Sequence, residues 1–139
     1  MLFDPSSPYG ARVARRLQED QVIWLTTVSR DGTPQPNPVW FLWDGETVLI
    51  YSMPTAAKVH NIRRSPRVAL HFDSGESGED VVVFTGTAVL DAAAPPAHHN
   101  PAYLAKYQSG ITNIEMTPES MSAAYNAAIR VKPDKVRGF

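Results

Sequence analysis

Between residues 34 and 38 the chain reads Pro-Gln-Pro-Asn-Pro, with Pro34, Pro36 and Pro38 at alternate positions. Proline fixes φ, lacks a backbone donor and drives the residue before it out of the helical region, so no helix can contain this stretch. In a strand, alternate residues direct their backbone groups to the same edge, so the three prolines strip the donors from one edge only. Gln35, Asn37 and Val39 keep theirs and can pair with a neighbour on the other side. The segment is therefore an edge strand, whose donor-free side either blocks aggregation or stays open to a ligand or another chain.

The surroundings extend this into a sheet. Gln21 to Ser29 is rich in β-branched and aromatic residues, and Asp31-Gly32 follows it as a hairpin turn. A second turn at Asp44-Gly45 leads into Thr47–Ser52, which predicts a three-stranded antiparallel meander. Arg67–Asp73, Val81–Leu90 and a last stretch near Ala128–Lys132 read as further strands, with Gly86 marking a bulge or bend. Ser7-Pro8, Asn100-Pro101 and Thr117-Pro118 each pair an N-cap with Pro at the first helical position, and Thr55 is expected to cap a short helix to about Arg64. Six strands joined mainly by hairpins point to a mainly β protein with short helices, an antiparallel barrel in a single domain over residues 1–139.

Composition narrows the function. Thirteen Lys and Arg against fourteen Asp and Glu leave a net charge of −1, without the positive field of a nucleic-acid binder. There is no cysteine, which excludes thiol nucleophiles, disulfides and Fe–S clusters, so redox chemistry requires a bound cofactor. No apolar run approaches the roughly 20 residues needed to span a bilayer, and a cytoplasmic location without membrane or nucleic-acid partners is expected. The GxSxG, HExxH, GxxxxGK[ST] and GxGxxG patterns are all missing. His60 and His71 are isolated and His98-His99 lacks a third ligand at useful spacing, so no metal site is expected.

Charge is nevertheless uneven. Thr47–Phe72 carries Lys58, Arg63, Arg64 and Arg67 but no Asp or Glu. In the helix expected there, Val59 and Ile62 form the buried stripe, Lys58 falls in the first turn beside the unpaired N–H groups, and Arg64 points away. That combination suits a phosphate, with Ser52 and Thr55 as hydroxyl donors, although a basic solvated helix has the same composition. Arg67 is expected in a strand-end salt bridge, and Asp73, Glu76, Glu79 and Asp80 in a solvated acidic loop. Trp24, Trp40 and Trp43 fit a core or an interface, with Trp40 also placed to flank a planar ring.

Asp31-Gly32-Thr33-Pro34-Gln35-Pro36-Asn37-Pro38-Val39-Trp40, followed by Lys58-Val59-His60-Asn61-Ile62-Arg63-Arg64-Ser65-Pro66-Arg67-Val68, resembles the pyridoxamine 5′-phosphate oxidase-like split β-barrel superfamily. The similarity runs from the first helix to the closing Arg130-Val131-Lys132-Pro133, and it is greatest to the branch that uses the deazaflavin coenzyme F420. The resemblance implies a six-stranded split β-barrel of the FMN-binding type and a homodimer with cofactor sites at the subunit interface. It implies that Lys58 holds the cofactor phosphate, that Ser52 and Met53 line the phosphate end of the third strand, and that Gln35, Asn37, Pro38 and Val39 pass alongside the ring. Asn61 falls near the same site.

Ala56-Ala57 stands where FMN-using oxidases tend to carry phosphate-binding arginines, and the pyridoxal-phosphate substrate signature of true oxidases is missing. F420 is therefore the expected coenzyme, with FMN the alternative and a non-enzymatic flavin or haem carrier a further one. The implied reaction is hydride transfer between the C5 carbon of the deazaflavin and a small-molecule acceptor. No essential catalytic side chain is expected, and Tyr51, His71 and Tyr125 are the candidate proton donors.

Overall fold

The computed structural model describes residues 2–139. Helix α1 (Pro8–Glu19) precedes strands β1 (Val22–Val28), β2 (Pro34–Trp40), β3 (Leu42–Trp43) and β4 (Val48–Ser52). Helix α2 (Ala57–Arg64) leads to β5 (Arg67–His71) and β6 (Val82–Leu90). A 3-10 turn (Ala97–His99), helices α3 (Pro101–Asn113) and α4 (Pro118–Ala124) and strand β7 (Ala127–Gly138) complete the chain. The strands form one antiparallel sheet in the order β2-β1-β5-β6-β7-β4-β3.

The two ends of this order, β2 and β3, are consecutive in sequence and meet at Phe41. The segment 34–43 is thus one bent strand that closes the sheet into a split barrel, pairing with β1 through its first part and with β4 through its last two residues. Counted this way the barrel has the six strands expected, and as separate segments it has seven. The expected meander holds in its connections, with one difference: only Leu42 and Trp43 of this strand pair with β4, because the strand bends at Phe41 from one edge of the sheet to the other.

Tertiary bonds hold that crossing. The N–H of Phe41 donates to the Tyr107 hydroxyl at 2.8 Å, and the Phe41 carbonyl accepts from Lys106 Nζ at 2.9 Å. The Tyr107 hydroxyl in turn donates to the Gln21 carbonyl at 2.5 Å. A residue between two ladders loses its strand partners, and α3 supplies replacements.

All five residues of β4 are buried. With period-2 alternation, Val48 and Ile50 enter the barrel core beside Ile23, Leu25, Phe84 and Ile129, while Leu49 and Tyr51 face a second apolar cluster with Tyr103, Tyr107, Ile111 and Met121 of α3 and α4. Strand β4 is therefore the wall between the barrel and the helical layer.

Helices α1, α3 and α4 begin where their Pro signatures place them, capped by Ser7, Asn100 and Thr117, the last in a capping box with Ser120. Helix α2 is different. Its N-cap is Ala56 and not Thr55, without any side-chain cap bond, so Lys58 is the second helical residue.

Strand β7 runs beyond Lys132 to Gly138, past Pro133. A bulge makes this possible: Thr85 faces Lys135 and Gly86 faces Pro133, leaving Asp134 as the extra residue. A Cβ on Gly86 would lie 2.4 Å from the Lys132 carbonyl oxygen, so the close approach requires glycine. Arg67 makes the expected strand-end pair, with bulged Asp134 at 2.5 Å. The solvated reading of Asp80 is corrected, since it pairs with both Arg12 and Arg16 at 3.2 Å.

Candidate functional site

The β1–β2 register places Pro34, Pro36 and Pro38 opposite Val28, Thr26 and Trp24, and places Gln35, Asn37 and Val39 opposite Thr27, Leu25 and Ile23. Only the second set can exchange both ladder bonds with its partners, so the proline carbonyls face away from β1. Residues 34–38 are exposed on this outer strand. The outer edge therefore carries acceptors without donors: it cannot extend the sheet by strand pairing, yet it can receive N–H groups of a ligand.

Beside the end of this strand lies a cavity of about 280 Å³. Pro38, Val39 and Trp40 line one side, Tyr51, Ser52 and Met53 the end of β4, and Ala56 and Lys58 the start of α2. Tyr103, Ile114, Met121 and Tyr125, from α3, α4 and their flanks, close the opposite side. No carboxylate is among these lining residues, and Lys58 is the one cation.

Lys58 is half-buried, makes no ion pair among the described residues, and burial holds its pKa below the ordinary lysine value. Because Ala56 offers no capping oxygen, the first-turn N–H groups beside this ammonium have no side-chain acceptor from the cap. An unpaired cation next to uncapped donors at a positive dipole end suits an anion. The Ser52 hydroxyl donates to the Met53 carbonyl at 3.0 Å and keeps its lone pairs.

The cavity thus brings together Pro38, Val39, Ser52, Met53 and Lys58 of the residues that the sequence proposes. Gln35 and Asn61 meet each other instead. Asn61 Nδ2 donates to Gln35 Oε1 at 2.8 Å and to Thr27 Oγ1 at 3.0 Å, while Asn61 Oδ1 accepts from Arg64 at 3.2 Å. Buried Asn61 therefore pins α2 to β1 and β2. Asn37 is exposed and does not line the cavity.

Of the candidate proton donors, Tyr51 lines the cavity but its hydroxyl is committed, donating to the Pro95 carbonyl at 2.6 Å and accepting from Asn100 Nδ2 at 3.1 Å. Tyr125 lines it as well. His71 stacks on Trp24, with ring centroids 6.0 Å apart, and lines a different depression. Trp40 stacks on Tyr107 with 4.7 Å between centroids, which fixes its indole in the wall. Tyr103, Ile114 and Met121 were not foreseen from sequence. The Pro-initiated helices around them were visible, but nothing local said that these faces cover β4.

A curled antiparallel sheet closed by one bent strand, with a cavity between β2, β4 and the helical layer, defines a split β-barrel. The family model of pyridoxamine 5′-phosphate oxidase matches residues 10–139, and the chain belongs to that family. No curated protein matches the sequence.

Among solved structures, the chain is similar to an F420 reductase at 25% identity, covering 87% of this chain and 92% of that one with a TM-score of 0.64. The conserved hypothetical protein Rv2991 from Mycobacterium tuberculosis matches at 22% identity over 91% of this chain and 81% of that one, with a TM-score of 0.70. HutZ, the haem storage protein of Vibrio cholerae, matches at 15% identity over 93% and 92% with a TM-score of 0.63, a likeness of fold. No helix among the described residues is long and apolar enough to cross a membrane.

Proposed function

We propose that the chain is an F420-dependent oxidoreductase that transfers a hydride between the deazaflavin and a small-molecule acceptor, working as a homodimer. The observation that carries this reading is Lys58: a half-buried, unpaired ammonium at the uncapped start of α2, opening on the same cavity as Val39 and Trp40.

The residues fit the phosphate group of the coenzyme. A phosphate monoester such as that of FMN carries about −1.5 to −2 at neutral pH. A phosphate esterified on two oxygens, as in a coenzyme whose chain continues beyond the phosphate, keeps a single charge on that group. One lysine and one helix end, with Ala56-Ala57 in place of further cations, match the diester better. The similarity to an F420 reductase supports the same choice. A haem reading, suggested by the HutZ likeness, finds no histidine in the cavity wall.

When bound, the deazaflavin supplies two-electron hydride chemistry at carbon. The protein's part is binding and orientation. Lys58 and the first turn of α2 hold the phosphate, with the Ser52 hydroxyl near it. The donor-free edge of β2 offers Pro36 and Pro38 carbonyls to N–H groups of the ring. Trp40 and Met53 form apolar walls, and the exposed Pro34–Pro38 edge is the surface on which a second copy would exclude water.

Parallel titrations of the purified protein with F420 and FMN, followed by cofactor fluorescence, test this. The proposal expects F420 to bind in preference to FMN, and a molecular mass of twice 15.3 kDa in solution. Preferential FMN binding would move the assignment to an FMN oxidoreductase or carrier on the same barrel.

A further inference from the structure

We infer that the α3–α4 side of the cavity is a subsite for a neutral, largely apolar molecule bearing a carbonyl oxygen, and that the Tyr103 hydroxyl is the donor that selects it. This deepens the proposed function, on which it rests only for identifying the bound molecule as the hydride acceptor.

Tyr103 is 1% exposed, and its hydroxyl has no hydrogen-bond partner among the described residues, whereas the Tyr51 and Tyr107 hydroxyls beside it are both engaged. Among the described residues, Arg12 Nε and Asp80 Oδ1 alone are sealed from solvent without a hydrogen bond, and they face each other as an ion pair at 3.2 Å; the Tyr103 hydroxyl is not sealed in this way. The small surface that Tyr103 retains is thus at its hydroxyl, and the cavity that it lines is the one containing Lys58.

A hydroxyl that reaches a cavity and has no protein partner is free to bond whatever occupies that cavity. The ring is held edge-on to Tyr51 at 4.8 Å and tilted on Tyr107 at 4.8 Å, so the donor is fixed in place. Burial pushes its pKa well above the ordinary tyrosine value, keeping the proton on oxygen.

The neighbouring wall sets the rest of the ligand's chemistry. Ile114, Met121 and Tyr125 supply flat or flexible apolar surface on this side, Trp40 supplies more from the β2 side, and no charged side chain lies among them. An amine finds no carboxylate in the cavity and a carboxylate finds only Lys58, at the start of α2 and not in this wall, while a carbonyl-bearing ring system finds one donor and apolar walls. Hydrogen bonding to that carbonyl also polarises it, which favours acceptance of a hydride.

The test pairs 1-tetralone with tetralin, which differ by one carbonyl, in calorimetric titrations of the protein and of Tyr103→Phe. The inference expects the variant to lose about tenfold in affinity for 1-tetralone while tetralin binding stays unchanged. It also expects the melting temperature of Tyr103→Phe to match or exceed that of the parent, because no internal bond is lost.

Equal binding of 1-tetralone by parent and variant, or a clear fall in melting temperature, would overturn the assignment. Titration with F420 and FMN separates the two claims: if neither cofactor binds but Tyr103 still governs 1-tetralone, the cofactor assignment fails and the subsite stands. If F420 binds normally to both proteins and 1-tetralone ignores the hydroxyl, the subsite fails alone.

Discussion

The Tyr107 hydroxyl accepts the N–H of Phe41 at 2.8 Å across 66 positions of sequence, and both residues are at most 1% exposed. Phe41 is where one strand stops pairing with β1 and starts towards β4, so this bond stabilises the closure of the barrel. Tyr107→Phe would leave the Phe41 N–H and the Gln21 carbonyl without that oxygen. A loss of about 1–3 kcal/mol is expected, read as a lower urea midpoint with an unchanged m-value.

Lys106 closes the other half of the same junction, bonding the Phe41 carbonyl with its ammonium 3.7 Å from the Phe41 ring centroid. Burial draws its pKa from the ordinary 10.5 down to about 8. Between those two values the unfolded chain holds a proton that the folded chain has released, so this group's contribution to stability rises with pH across that window and is lost as pH falls through about 8. Urea midpoints of Lys106→Met relative to the parent, taken from pH 7 to 10, should show the parent's added rise missing from the variant.

Gly86 faces Pro133 at the β6–β7 bulge with no space for a Cβ, which would meet backbone at 2.4 Å. Gly86→Ala is expected to cost about 1–3 kcal/mol through displaced backbone. Thermal unfolding gives the loss, and hydrogen exchange should localise it to β6 and β7.

Asn61 bonds Thr27 and Gln35 but does not line the cavity. Asn61→Ala should therefore destabilise by about 1–3 kcal/mol, and should weaken coenzyme binding far less than removal of the Lys58 ammonium. Chemical denaturation and cofactor titration on the same preparation separate the two effects.

Much of this architecture is legible locally. Alternating prolines announce an edge strand because each acts on its own backbone, and the Asp31-Gly32 and Asp44-Gly45 turns and the three Ser/Asn/Thr-Pro helix starts are equally short-range signals. Phe41 shows where such reading stops. Val39–Trp43 is continuously apolar, so nothing nearby reveals that its two ends pair with different strands; the break is set by Tyr107 and Lys106 far along the chain.

The last strand departs in the opposite direction, running to Gly138 past the stretch near Ala128–Lys132 that its composition predicts. A proline within a strand normally ends it, but Gly86 and the Asp134 bulge accommodate Pro133. At the site, Lys58 is legible from charge and its place at a helix start and Ser52 as a hydroxyl nearby, while Met53 comes only through the family resemblance. Tyr103 is not legible, because only the packing of α3 over β4 distinguishes its unpartnered hydroxyl from those of Tyr51 and Tyr107.

The central claim is that Lys58 at the start of α2 holds the coenzyme phosphate, and the most direct measurement is the affinity of Lys58→Ala for F420 beside that of the parent. The ammonium's charge-assisted bonds are worth about 1.5–3 kcal/mol, so affinity should fall roughly 10- to 150-fold. Ala suits the helix, so melting temperature should be nearly unchanged. Unaltered F420 affinity in a folded Lys58→Ala protein would contradict the account.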